Sequence, residues 1–494
     1  MNKIVIPKEV RNIAEKLEAA GFQSYLVGGC VRDVLIQRAP KDWDIATDAR
    51  PEEIQKIFPE SVYENNFGTV GVKTRMANGK SQIVEVTTFR LEGGYADKRH
   101  PDEIKFAKTV EEDLARRDFT INAIALEAGD GKLEVKEIID PYGGQEDLKN
   151  KVIRTVGNPG ERFNEDALRL LRAVRFAAEL DFSAGWRIEK ETAAAIKNSA
   201  GLLEMIAQER IRDEFQKIIM TSRAAEGILM LEELGLLCYI IPELREGVNC
   251  GQNKHHIYTV FEHNVRALNY SAEKNYSLEV RLASLLHDVG KPRVKGGEGP
   301  DSPFYNHEIV GAKMTVKILD RLRFGKEVVE KIAHLVRCHL FYYNVGEVTE
   351  SGVRRFLNRV GPENVPDLMK VREADRIGSG VPKAFPYKLR HLLFMIEKVK
   401  HDPISPKMLK VKGDNVMKVL NISPGPKVGQ ILSILLDEVM EEPAKNDAKD
   451  LEIRIKELGK LSDEKLEAFS EKAREKKNEF ESGVEKEIKK KYYV

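Results

Sequence analysis

The stretch LVGGCVRD (residues 26–33), followed by KDWDIAT (residues 41–47), decides the fold. A β-prone run over residues 22–27 stops at Gly28-Gly29, and a helix opens there with Arg32 in its first turns. Backbone N–H groups, the positive end of a helix and a guanidinium then converge on an anion. A tight strand-to-helix turn explains the glycine pair equally and is compatible with that use. Asp42 and Asp44 flank Trp43 at the start of a second strand, where a period of two sends both carboxylates to one face and Trp43 and Ile45 to the other. Two carboxylates so placed suit a pair of divalent ions, and magnesium commonly shares its shell between a few carboxylates and substrate phosphates. A lone D-x-D is usually a solvated strand end, and the anion-directed turn a dozen residues upstream is what raises this one above that reading.

Outward from this core, residues 68–73 and 82–89 read as strands, residues 8–20 and 51–58 as helices, and about the first 130 residues as mixed α/β. From Glu161 onward helical periodicity dominates and no convincing strand is expected. Residues 91–102 and 292–303 read as loops, and residues 462–491 as a solvated, mixed-charge helix or tail. The 494 residues, 42% of them apolar, are enough for several domains. Lysine plus arginine total 80 against 79 acidic residues, so no global field draws the chain onto nucleic acid and a polyanion must be held by local basic patches. Four cysteines without a C-x-x-C pair argue against a disulfide scaffold or a zinc ribbon. The longest apolar stretch, residues 227–242, is broken by Glu232 and Glu233, and the N-terminus carries no recognisable signal, so a cytoplasmic protein is expected.

Five segments in order, LVGGCVRD, KDWDIAT, RRDFTINA (116–123), DPYGGQEDL (140–148) and EDALRLLRAVRF (165–176), resemble the motifs of the bacterial class II tRNA nucleotidyltransferases, the CCA-adding enzymes and their poly(A) polymerase relatives. The resemblance implies an α+β architecture, with a polymerase-β-like nucleotidyltransferase head (1–150), an all-α neck (151–245) and further helical domains. It implies that Asp42 and Asp44 bind catalytic Mg²⁺, that Gly29, Arg32 and Arg117 contact the nucleotide, and that Asp118 and Asn122 help to discriminate ribose. Glu85 is either a third carboxylate or an ordinary polar strand residue. YADKR (95–99) occupies the place of a family loop that is shortened in enzymes adding only the two cytidines, which tilts the reading towards an enzyme able to add the terminal A.

Asp166 and Arg169, three apart in a predicted helix, can read the amine donor beside a ring-nitrogen acceptor that C and A share. The resemblance points to the same pair. Arg172 and Arg175 are assigned to the nucleotide site by resemblance, since successive steps of three carry Arg175 to the far side from Asp166.

A second constellation, His263, His287-Asp288 and Asp375, has the order H…HD…D on helical pattern, and imidazole with carboxylate suits a transition metal or Mg²⁺ better than Ca²⁺. LASLLHDVGKP (282–292) with READR (372–376) resembles the HD phosphohydrolases, which implies a divalent metal of unspecified identity, with His307 and His339 reaching the same pocket by analogy. His255, His256, His334 and His391 are read as ordinary core or surface histidines. An HD domain over 246–385 and a helical tRNA-binding body with a charged tail over 386–494 follow. In the body, Lys427 is either a phosphate contact or part of a plain helix connection.

The expected function is template-independent addition of C, C and A to tRNA from CTP and ATP. The rivals are an A-adding enzyme, a poly(A) polymerase, or a nucleotide phosphohydrolase whose head is a degenerate binding module.

Overall fold

The computed structural model describes residues 6–63, 68–75, 81–93, 103–127, 137–180, 185–252, 257–297 and 302–477. The chain divides into two compact units, residues 1–245 with 321–323, and residues 246–320 with 324–494.

The first unit is built on a sheet whose described strands are Ser24–Val27 (β1), Asp44–Thr47 (β2), Ser61–Tyr63 (β3), Thr69–Arg75 (β4) and Ser81–Thr88 (β5), with a separate hairpin of Arg90–Gly93 (β6) and Glu103–Phe106 (β7). Ala125–Glu127 (β8) and Ile138–Ile139 (β9) complete the main sheet in the order β3-β4-β5-β2-β1-β8-β9. Among the described strands of the main sheet only β2 and β5 run parallel, which places Glu85 in register beside Asp44. Val27, Ala46, Phe89 and Leu114 close one core over this sheet. The strand read over 43–47 begins at Asp44, so Asp42 and Trp43 form its approach, Trp43 buried and Asp42 exposed. Of residues 91–102, read as a loop, residues 91–93 belong to strand β6 and residues 94–102 lie outside the described residues. YADKR lies outside the described residues.

Beyond the sheet and the hairpin the described residues of the unit are mostly helical, as periodicity requires, but Arg187–Ile188 pairs in parallel with Val152–Ile153. Two residues are too few to carry an alternating pattern, which is why no strand was expected after Glu161. The helix Arg169–Glu179 buries Leu170, Leu171, Ala173, Val174, Phe176, Ala177 and Ala178, while its arginines line the remaining flank. Each large side chain so buried contributes about 1.5–3 kcal/mol.

The second unit is all helix in its described residues. Its C-terminal part has its own core, including Val416, Ile431, Leu435, Val439 and Ile455. Lys427 is ion-paired with Asp463 at 3.1 Å across two of these helices. The charged tail begins as a helix, Asp463–Lys477. Among the described residues no helix is long and apolar enough to cross a membrane. Cys30, Cys238, Cys250 and Cys338 are all free.

Candidate functional site

In the first unit the strand β1 ends at Gly28, whose φ of 76° belongs to the left-handed half of the map that glycine tolerates best. A Cβ there would also sit 2.9 Å from Arg117 Nη1 and 3.5 Å from Asp44 Oδ2, so the glycine lets the guanidinium and the carboxylate approach the turn. Arg117 donates from Nη2 to Asp113 Oδ2 at 3.1 Å, while its buried Nε has no hydrogen-bond partner among the described residues. Burial raises the Asp44 carboxyl above its ordinary value; Arg117 opposes this and the like charge of Asp42 adds to it. A half-buried carboxyl beside a second carboxylate is a group that a cation would relieve, and Asp42 and Asp44, with Glu85 in the adjacent register position, therefore fit divalent ions.

Behind this pair a continuous polar network joins three of the sequence motifs. Arg32, 8% exposed, donates from Nε and Nη2 to Asp33 Oδ1 and from Nη1 to Asn122 Oδ1 at 2.8 Å. Asn122 Nδ2 in turn donates to Asp118 Oδ1 at 3.0 Å, and Asp118 Oδ2 accepts from Arg172 Nε and Nη2 at 2.8 and 2.5 Å. Burial would raise the Asp118 carboxyl, but Arg172, Asn122 and Arg169 hold it far below the usual carboxylate range. The guanidiniums of Arg32, Arg172 and Arg175 lie 5.1, 5.2 and 4.1 Å from the centroid of Phe176, so one ring gathers three like charges.

Asp166 departs from expectation. It is not inside a helix with Arg169; it is an extended residue (φ −135°, ψ 103°) after the helix Pro159–Glu165, and Arg169 is the first residue of the next helix. An aspartate competes for backbone donors and favours helix ends, and Asp166 Oδ1 accepts from Leu168 N at 3.1 Å. Its carboxylate is held not by Arg169 but by Arg210 Nη2 at 3.2 Å. Arg169 donates to Glu165 and to the carbonyls of Arg162 and Arg116. Arg175 is bound to Glu214 Oε2 at 2.6 Å and to Glu179. The sequence reading missed Arg210, Glu214 and Asp113; the first two stand on a distant helix with no motif to mark them.

In the second unit, five helices bring His263, His287, Asp288, His307, His339 and Asp375 together, all but Asp375 buried. One donor group surrounds Asp288 Oδ2, with His263 Nε2 at 3.2 Å and His287 Nε2 at 3.3 Å. Asp375 Oδ1 is 3.4 Å from the same His263 nitrogen. The other group surrounds Asp288 Oδ1, with His307 Nε2 at 3.3 Å and His339 Nε2 at 3.6 Å. His287, His307 and His339 each donate Nδ1–H to the carbonyl three residues back, which leaves Nε2 as the ligating nitrogen. Burial lowers the His287 pKa, yet Asp288 and Asp375 overcome it and push it up to about 10. A proton thus sits where a cation fits, and the imidazole and carboxylate donors match a transition metal or Mg²⁺.

The sequence reading also missed Lys291, whose Nζ is 2.6 Å from Asp288 Oδ2 and 2.8 Å from Gln252 Oε1; its place three residues after Asp288 was the available signal. Gly290 of the same segment packs against the backbone of His307 and Gly311, where a Cβ has no room. His334 is spent on the Val360 carbonyl, whereas His255 and His256 lie outside the described residues.

Comparison with known proteins agrees with this geometry. Residues 24–154 match the Poly A polymerase head domain, residues 185–247 the probable RNA and SrmB-binding site of polymerase A, and residues 260–378 the HD domain. The A-adding tRNA nucleotidyltransferase of Deinococcus radiodurans is 35% identical over 434 residues, covering 83% of this chain and 90% of that protein. The CCA-adding enzyme of Anoxybacillus flavithermus is 45% identical over 239 residues, 48% of this chain and 56% of the relative, so the chain spans about half the length of that relative. The crystal structure of the Bacillus stearothermophilus CCA-adding enzyme in complex with CTP aligns over 91% of this chain and 96% of that one, with a TM-score of 0.66 and 27% identity. With the motif residues gathered in one head and the match to the Deinococcus protein running through both units, the chain belongs to the tRNA nucleotidyltransferase family.

Proposed function

We propose that the chain adds C, C and A in turn to the 3′ end of tRNA, using CTP and ATP and no nucleic-acid template. The observation that carries this is the Asp42 and Asp44 pair set against Gly28 and Arg117, with the Arg32-Asn122-Asp118-Arg172 network behind it. In the reaction the tRNA 3′-oxygen bonds to the α-phosphorus of the triphosphate and pyrophosphate leaves. Asp42 and Asp44 would hold Mg²⁺, which supplies charge neutralisation of the triphosphate. Gly29, Arg32 and Arg117 orient the phosphates, and Asp118 and Asn122 stand at the ribose.

Asp166 and Arg169 read the base. Asp166 keeps unused lone pairs beside its bonds to Arg210 and Leu168 N, and an amine of C or A fits them. Arg172 and Arg175 stabilise that site from its flank. Head, neck, HD domain and helical body, divided near residues 150, 245 and 385, are the working parts.

The second unit supports a second activity, hydrolysis of a phosphoester. Asp288 presents one oxygen to His263 and His287 and the other to His307 and His339, donors that would hold divalent metal, and such metal would supply polarisation of a phosphoryl oxygen. Lys291 neutralises the shared carboxylate.

Incubating the purified protein with tRNA transcripts ending before CCA, after C and after CC, each with CTP, ATP or both, tests the principal reading. Extension of all three to CCA is the expected result; extension of the CC-ended transcript alone would make it an A-adding enzyme.

A further inference from the structure

The chain is nearly neutral, so binding a polyanion needs a local surface. One lies in the second unit, on the helix Tyr387–Val399. Leu389, Leu392 and Val399 of this helix are buried. Tyr387, His391 and Phe394, at spacings of four and three, form a stripe along another face. Tyr387 is 60% exposed and Phe394 61%. The ring centroids of Tyr387 and His391 are 5.8 Å apart and those of His391 and Phe394 5.9 Å, so the three form one ladder. His391 is fixed in it by the buried Tyr343, whose hydroxyl is hydrogen-bonded with His391 Nδ1 at 2.5 Å. The stripe runs about 10 Å along the helix axis, enough for two or three stacked bases.

The charge along this segment of the chain is one-sided. Residues 381–400 contain Lys383, Lys388, Arg390, Lys398 and Lys400 against the single acid Glu397. Glu397 is ion-paired with Lys400, Lys398 with Glu350, and Lys388 donates to Asn344. Arg390 and Lys383 are exposed, and their side chains have no ion pair or hydrogen bond among the described residues.

We propose that this face docks RNA, with Tyr387, His391 and Phe394 stacking on unpaired bases and Arg390 and Lys383 meeting the flanking phosphates. Aromatic faces interleaved with cations are the recognition chemistry of single-stranded and loop nucleotides, because every base has a π-face and every nucleotide a phosphate. A second copy of the chain is the poorer occupant, since a two-fold contact would set Arg390 and Lys383 against their own images. A lipid surface is poorer too, because the helix turns its buried leucines inward and offers flat rings outward. The proposal rests on the tRNA reading above and adds the surface that engages the RNA.

The test compares wild type with the double variant Tyr387→Ala/Phe394→Ala, both exposed positions, with circular dichroism confirming the fold. Fluorescence anisotropy with a labelled tRNA lacking CCA should show Kd raised about tenfold or more by the double variant, with the KM for CTP unchanged. Tyr387→Trp/Phe394→Trp, which keeps the stacking faces, should bind within about twofold of wild type. Arg390→Gln should reduce the slope of log Kd against log salt by about one. If wild type binds tRNA and extends it while the double variant binds equally well, this surface is not the RNA site and the nucleotidyltransferase reading stands. If wild type itself neither binds nor extends tRNA, that reading fails and this proposal falls with it. Loss of self-association, or of binding to vesicles of anionic phospholipid, with tRNA affinity unchanged would overturn RNA as the occupant.

Discussion

The two metal-fitting centres solve the same electrostatic problem in opposite ways. In the head, Asp42 and Asp44 come from one strand approach, two positions apart, and Asp42 is open to solvent. In the second unit, six side chains from positions 263 to 375 converge, and five of them are buried. A centre that must admit a triphosphate and a polynucleotide end keeps its carboxylates at an edge, where burial raises Asp44 only in part. A closed cluster can afford imidazole ligands oriented by backbone carbonyls, and without a cation it takes up a proton on His287. The difference shows that local sequence can build an open site, whereas a buried one requires several helices to be placed before any ligand is in position.

The largest effect should come from breaking the open site. Asp42→Ala or Asp44→Ala should slow nucleotide addition at least about 10³-fold, since stabilisation of developing charge is lost, while tRNA affinity and any phosphoester hydrolysis persist. Single-turnover addition to a CC-ended transcript measures it, and near-normal rates for Asp42→Ala would remove the assignment.

Breaking the closed site should leave the open one intact. The combined change His287→Ala and Asp288→Ala should reduce metal-dependent phosphatase or cyclic phosphodiesterase activity about 10²-fold or more and lower the bound metal seen by mass spectrometry. CCA addition should stay within about twofold, as expected of ligands that the two centres do not share. Loss of addition by a folded double variant would contradict separate centres.

A smaller effect sharpens the head alone. Asp166→Ala should cut the preference for CTP and ATP over UTP and GTP by about tenfold, because the acceptor for the exocyclic amine is gone. Addition of each of the four triphosphates to CCA-lacking and CC-ended transcripts reads this out, and unchanged selectivity in both Asp166→Ala and Arg169→Ala would place base selection elsewhere.

The smallest effect is on stability. Asp118 has a folded pKa below its unfolded one, so its contribution is complete above the unfolded value of about 3.9 and is lost as pH falls through the folded value. Asp118→Asn should therefore destabilise the protein by about 2 kcal/mol at pH 7, a loss that narrows in acid below about pH 4. Thermal melts at pH 7 and pH 3 check the sign; a gap that widened in acid would reverse the assignment of the charged partner.

The sequence by itself determined the strand-turn-helix at Gly28, the carboxylates two apart and the order H…HD…D, because each depends on a short-range period, on glycine's freedom at positive φ, or on a motif of adjacent residues. It misread Asp166, since EDALRLLRAVR has the composition of one continuous helix and only the capping preference of aspartate breaks it. Arg210 holding Asp166, Glu214 holding Arg175, the chain of bonds from Arg32 to Arg172, and the two oxygens of Asp288 facing different histidines were decided by tertiary structure alone. Apart from the near neighbours Asn122–Asp118 and His287–Asp288, these partners lie 19 to 90 residues apart, and a charged side chain carries no mark of which distant charge it will meet. Packing of the apolar faces brings the helices together, and the hydrogen bonds then follow from where that packing leaves the polar ones.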